Sequence, residues 1–394
     1  HALGLGSKST PASASKPHSS TPAHTTGSST PPPKGILTTA AADASAYTAL
    51  HSTDCNVFPP KHTGLARSAS PELRKLAEYE QLCNGAVAAR TSIFVPTPST
   101  AAQAQASAQA VATELKAYSQ AGIPPLVFME PTDPNGHGLD LTQFANGAYD
   151  TALTTYFQAL QSASITSTSM GMWVYLPEDN LPVWSTTDPD TYAAVVTKMA
   201  QLQKQYFPGS LASVMLDSQS YAPGASWGNG SYTSLMPYVQ NIPHGLIDSF
   251  GLQGFPWAAP ANQPQEGSLY DPKIYLRTDL AVQAARTLGI NDIWFNTGTF
   301  AQMYAGQSGK SVVNTPVQRQ QMLEQIVQLS QQVKAQGFTV AIHLFSQNKT
   351  NLTEGTDWSY WRTTPSDTSH TAVFTTFAHS ATTAGIPLWL YDTQ

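Results

Sequence analysis

Short apolar runs recur along this chain, separated by longer stretches in which apolar residues fall at helical spacing. The runs occupy residues 92–95, 125–129, 170–176, 213–216, 249–255, 292–295, 338–345 and 387–391. Between them, residues 100–121, 149–163, 190–206, 276–288, 316–335 and 371–384 have the 3.6-residue periodicity of amphipathic helices. Gly122, Gly171, Gly289, Gly337 and Gly385 stand just before following runs, where a left-handed helix stop belongs. Strands alternating with helices predict a parallel sheet, and eight of them favour closure into a (β/α)8 TIM barrel. The competing doubly wound sheet usually has a glycine-rich turn after its first strand. Here that place reads Val95-Pro96-Thr97-Pro98-Ser99.

The same pattern locates candidate chemistry at the strand exits. The second run leaves as Met129-Glu130-Pro131-Thr132-Asp133, the third as Leu176-Pro177-Glu178-Asp179-Asn180 and the fourth as Leu216-Asp217-Ser218. In a barrel these ends converge on one mouth, so three adjacent strands deliver carboxylates to the same face. Alternation sharpens this. Val127 and Met129 share one side of the second strand, leaving Phe128 and Glu130 on the other. Val214 and Leu216 likewise oppose Met215 and Asp217. If the aliphatic sets face the helices, Glu130 and Asp217 point at the barrel axis. Glu178 shares parity with Met172, Val174 and Leu176, which on that rule would turn it outward. Pro177, with no N–H for the ladder, breaks the register there and leaves its direction open. The spacing of parallel strands puts Glu178 and Asp217 within ~5–6 Å, and Glu130 and Asp217 nearer ~9–10 Å. The first separation suits a retaining glycosidase and the second an inverting one. Asn296, His343, Gln347 and Asp392 from later exits, with Tyr175, are candidates for contacting a substrate. Glu130, Asp133, Glu178, Asp179 and Asp217 together would also suit a hard cation such as Ca²⁺, but no metal or cofactor is assigned.

Composition adds context. Residues 1–45 are a Ser/Thr/Pro/Ala/His tract with too few large apolar side chains to offset its ordering entropy, so a flexible stalk is expected. Residues 46–394 then form the barrel domain, led in by a helix over residues 71–80 with Pro71 in its first turn. Only 11% of residues are charged, the net charge is −6, and no basic run follows a phosphate backbone, which argues against nucleic acid. No stretch reaches the ~20 apolar residues of a membrane span. Cys55 and Cys83 are too few for a four-ligand zinc site and would form a disulfide in an oxidising compartment. The stalk, and a first residue that is His1, fit an exported, processed protein, secreted or held at a cell surface through the stalk. The sequons at Asn229, Asn348 and Asn351 matter only in a glycosylating host.

Trp184, Trp227, Trp257, Trp358 and Trp361 all follow strand ends. Indole faces there would bind the C–H face of a sugar ring, the competing use being to pack loops against the rim. Trp257, stiffened by Pro256, is the best candidate platform, and Trp184 and Trp227 are further candidates for substrate binding. G-x-S-x-G, Walker and H-E-x-x-H motifs are absent from the sequence.

The acidic strand exits, the Trp-rich loops and Pro177-Glu178-Asp179-Asn180 with Trp184 resemble the secreted (β/α)8 glycoside hydrolases of the clan A, mannanase-like type. The resemblance spans residues 90–394 at the level of architecture. It implies a glutamate acid/base at the end of the fourth strand and a glutamate nucleophile at the end of the seventh. Glu178 would match the first if an extra strand near residues 56–58 shifted the count by one. Asn296 would then stand where the second glutamate belongs. The expected function is a secreted glycoside hydrolase cleaving a polysaccharide with two carboxylates. The alternative is a carbohydrate- or wall-binding barrel without a working acid pair. A sheltered mouth carboxyl distinguishes the two.

Overall fold

Eight parallel strands close on themselves in the computed structural model: β1 (Ala88–Pro96), β2 (Leu126–Glu130), β3 (Met172–Tyr175), β4 (Leu211–Asp217), β5 (Ser249–Gly254), β6 (Asp292–Thr297), β7 (Thr339–Phe345) and β8 (Leu388–Tyr391). Each pairs with its sequence neighbours, and β8 pairs with β1 to complete the ring. The structure describes residues 88–180, 188–220, 230–231, 233–255, 272–299, 303–304, 312–313, 316–345, 348–349, 356–357 and 369–391. The expected stalk, the lead-in helix and both cysteines lie outside these residues. So do Trp184, Trp227, Trp257, Trp358, Trp361, Gln347 and Asp392.

Six longer helices run between the strands: α1 (Ala101–Ala121), α2 (Asp150–Ser162), α3 (Pro189–Tyr206), α4 (Thr278–Leu288), α5 (Pro316–Lys334) and α6 (Ser369–Thr383). Thr100 caps α1 by accepting from the Gln103 N–H, and Asp188 caps α3 by accepting from the Thr191 N–H. Gly122 and Gly289 end α1 and α4 in the left-handed conformation. Gly171 differs from the expectation. Helix α2 stops at Ser162, and Gly171, at φ 73°, instead turns the chain into β3. A Cβ there would run into the Pro125 carbonyl, so both φ and space call for glycine. No helix among the described residues is long and apolar enough to cross a membrane.

Two apolar layers result. Val127, Met129, Val214, Leu216, Ile293 and Phe295 pack outward against the helices. Phe128, Met172, Val174, Met215, Trp294, Ala341 and Trp389 fill the barrel. Aliphatics therefore face the helices on β2 and β4, as alternation suggests, but not on β3. There Met172 and Val174 point in, while Trp173 and Tyr175 point out. The outward side of β3 holds the larger rings because α2 offers them partners: Trp173 meets Tyr156 and Phe157, and its Nε1–H donates to the Met170 carbonyl at 2.9 Å. Inside, the Trp294 ring lies where a side chain on Gly251 would be, and its Nε1–H donates to Ser213 Oγ at 3.0 Å. This packed layer is the floor beneath the mouth.

The rim carries further strands. Val312–Val313, Met303–Tyr304, Thr356–Asp357 and Asn348–Lys349 pair, in that order, into an antiparallel sheet that joins the connections following β6 and β7. Gln219–Ser220 and Gly230–Ser231 form a smaller ribbon after β4.

Candidate active site

Asp217 is the last residue of β4 and follows Met215 on the inward face; it is 5% exposed. Its backbone is held from the side. The Asp217 N–H donates to Asn180 Oδ1 at 2.8 Å, and Asn180 Nδ2 donates to the Asp217 carbonyl at 2.9 Å. The Asn180 amide thus takes the place of a neighbouring strand where β3 has already ended.

Glu178 reaches the same spot by an unusual backbone. Leu176 and Glu178, on either side of Pro177, have φ of 50° and 53°. Left-handed conformations at residues with a Cβ cost on the order of 1–3 kcal/mol each. The turn stays anchored because the Leu176 N–H donates to the Met129 carbonyl and the Glu178 N–H to the Met215 carbonyl, at 3.2 and 3.0 Å. Pro177 has no N–H, so the Glu178 N–H takes the Met215 carbonyl that position 177 would have used; one residue is thereby inserted, and simple alternation no longer decides where Glu178 points. It points inward, half-buried.

The two acids meet at Gln253, which lies opposite Asp217 at the end of β5. Gln253 Nε2 donates to Glu178 Oε2 at 2.6 Å and to Asp217 Oδ2 at 2.8 Å. A planar amide nitrogen has two hydrogens about 120° apart, one for each carboxylate. The two acceptor oxygens therefore lie about 4.7 Å apart, and no more than about 5.4 Å with the two bonds laid end to end. Retaining glycosidases separate their carboxyls by roughly 5–5.5 Å, inverting ones by roughly 6.5–9.5 Å.

Behind Gln253 the hydrogen bonds continue round the barrel. Asn296 Nδ2 donates to Gln253 Oε1 at 2.7 Å, Asn296 Oδ1 bonds His343 Nδ1 at 2.7 Å, and His343 Nε2 bonds Ser92 Oγ at 2.7 Å. His343 is 2% exposed, and burial pushes its imidazole down to about 3, so it is neutral at ordinary pH. Phe128 lies beside its ring and stacks on the half-buried Phe94, with centroids 4.8 Å apart.

The remaining expected residues separate into other roles. Glu130 is on the inward face of β2 and 6% exposed, but two strands from Asp217. Asp133 is committed to its own turn, accepting from the Asn135 and His137 N–H groups at 2.9 Å and from Gln103 Nε2 at 3.1 Å. Burial alone would raise its carboxyl; these donors outweigh that and hold it below the usual range. Asp179 faces α3, where its charge adds to burial in pushing the Tyr192 hydroxyl up. The five acids do not converge, and no cluster of three or more metal-ligating side chains occurs among the described residues.

Tyr175, expected at the substrate, points away from the mouth and donates its hydroxyl to Gln203 Oε1 on α3 at 2.7 Å. Asn296 and His343, also expected at the substrate, are buried with their polar atoms engaged by protein partners. The ring closes from β1 to β8 without an extra strand, so Glu178 follows the third strand and Asp217 ends the fourth. The seventh strand ends His343-Leu344-Phe345 and carries no glutamate. Gln253, Asn180 and Ser92 were missed from the sequence. Gln253 had a signal: it holds the same last inward position on β5 that Asp217 holds on β4.

No family model and no curated protein sequence matches this chain. Among solved structures it is similar to a family 1 β-glucosidase from Thermotoga maritima in complex with isofagomine lactam, at 10% identity over 78% of this chain and 86% of that one, with a TM-score of 0.47. It is similar also to the hyperthermostable endo-1,4-β-D-mannanase from Thermotoga petrophila RKU-1, at 9% identity over 73% and 68% of the two chains, TM-score 0.35. Likeness of this degree decides nothing about the chemistry.

Proposed function

We propose that the protein is a glycoside hydrolase in which Asp217 and Glu178 divide the work. The observation that carries this reading is the pair of carboxylates held on one amide nitrogen of Gln253 at the C-terminal mouth of a β/α barrel. A barrel that only bound sugar would have no use for two acids brought this close. Asp217, sheltered and clamped by Asn180, suits the nucleophile. Glu178, half-open to the mouth, suits the acid/base, which water must reach in the second step. Glu178 protonates the glycosidic oxygen as an Asp217 oxygen attacks the anomeric carbon, so the C–O bond to the leaving group breaks and a glycosyl ester forms. Glu178, now a carboxylate, takes a proton from a water that attacks the same carbon and frees Asp217.

A polysaccharide panel read by new reducing ends identifies the substrate. On that substrate Asp217→Asn and Glu178→Gln each lower kcat by at least ~10²-fold with the fold intact. Near-normal turnover by Asp217→Asn would remove the proposal. The anomeric form of the first product, followed by NMR, is retained; inversion would point to Glu130 with Asp217 instead. A polysaccharide substrate would fit export, as would the Ser/Thr/Pro-rich composition of residues 1–45, and an antibody against the barrel should then find the protein in the medium or on the cell surface.

A further inference from the structure

We infer that Ser92, His343, Asn296 and Gln253 form a one-way hydrogen-bond relay that presents donors to the proposed catalytic pair, its direction set by the carboxylates and carried through His343 as a positioning residue. The inference rests on the function proposed above only for its kinetic consequence.

The direction follows from bookkeeping of donors. Glu178 and Asp217 offer Gln253 only oxygens, so its NH₂ must face them and its Oε1 must face Asn296. Asn296 then uses Nδ2 on Gln253 and presents Oδ1 to His343. An acceptor at Asn296 requires the proton of neutral His343 on Nδ1, which leaves Nε2 bare to accept the Ser92 hydroxyl. Every N–H or O–H in the series points toward the carboxylates. Reversing any one member puts two acceptors or two donors face to face, which in a buried place is costly. Each of the four side chains comes from a different strand: β1, β7, β6 and β5. The barrel itself sets their spacing, and their alignment adds a favourable field at the acids.

The first test needs no substrate. Long-range ¹⁵N–¹H correlation spectra of the whole protein, with His343 assigned by its absence from a His343→Gln variant, should show a neutral Nδ1–H imidazole from pH 5 to 8. An Nε2–H tautomer, or a charged ring in that range, overturns the relay whatever the enzyme does. The second test uses Asn296→Asp, which keeps size but replaces the donor to Gln253 by an acceptor. At pH 7 kcat should fall ~10²-fold with KM within about threefold. The titratable groups around that position are His343 on β7 and, across Gln253, Asp217 on β4 and Glu178 at the β3 exit. A protonated aspartic acid can donate to Gln253 and accept from His343, so the ratio of variant to parent kcat should climb as pH falls. Asn296→Leu, uncharged but unable to donate, should stay low at every pH. An Asn296→Leu enzyme with parental kcat would make the relay a packing feature only. Finding no glycoside that turns over would remove the proposed function while the tautomer measurement still decides the relay.

Discussion

The two halves of the barrel mouth are built on opposite plans. From β2 to β4 the strand exits carry acids: Glu130, Glu178 and Asp217. From β5 round to β1 the inward faces of β5, β6, β7 and β1 carry Gln253, Asn296, His343 and Ser92, neutral groups joined in series. The acidic half has reactive groups on a strained, irregular backbone, with left-handed residues at Leu176 and Glu178. The neutral half has no left-handed residue at these positions, and its polar side chains satisfy one another. The comparison teaches a division of labour: one side supplies charge, the other fixes where that charge is held. Gln253 is the seam between them.

Cutting the seam should have the largest effect. Gln253→Met keeps the volume but takes the shared donor from both carboxylates, and kcat on the identified substrate should fall ~10²-fold or more. Retained turnover would mean that the halves work independently. A middle-sized effect comes from the neutral half. An unfolded His343 takes a proton near its ordinary 6.5, whereas the folded one resists until about 3. Between those values the unfolded chain binds the extra proton, so stability falls as pH drops from about 6.5 toward 3, by up to about 1.4 kcal/mol per pH unit, and is unaffected above. Urea unfolding across that range should show a shallower slope for His343→Gln than for the parent; identical slopes would contradict a buried neutral imidazole. The smallest effect tests the boundary of the site. Tyr175→Phe loses only the bond to Gln203, so it should cost about 1 kcal/mol in denaturant unfolding and leave kcat and KM unchanged. A changed KM would return Tyr175 to the mouth.

Much of the architecture was legible before any coordinates. All eight barrel strands and six helices match the apolar runs and helical stretches to within a few residues, because strand and helix periods are local properties of the chain. Asp217 and Glu130 could be aimed inward because β4 and β2 are unbroken to their ends. Glu178 could not, since its direction depends on two left-handed residues that no periodicity encodes. The seam at Gln253 was hidden for another reason. A glutamine at a strand end carries no charge to draw attention, and its importance appears only when β3, β4 and β6 are brought round it. Tyr175 misled because the rule that aliphatics face the helices turns it inward, whereas on β3 Met172 and Val174 take the inside and Tyr175 bonds Gln203 on α3.

The small antiparallel sheet on the rim bears on how such a protein can change. Met303–Tyr304 pairs with Thr356–Asp357, so connections that leave β6 and β7 separately are stitched together above the barrel. An insertion in one of them is therefore felt by the other, and the two segments make a single unit of inheritance. Loop exchange between related barrels, a common route to new specificity, would succeed here only if both connections were transplanted together. The ribbon after β4 pairs within its own connection and can be exchanged alone.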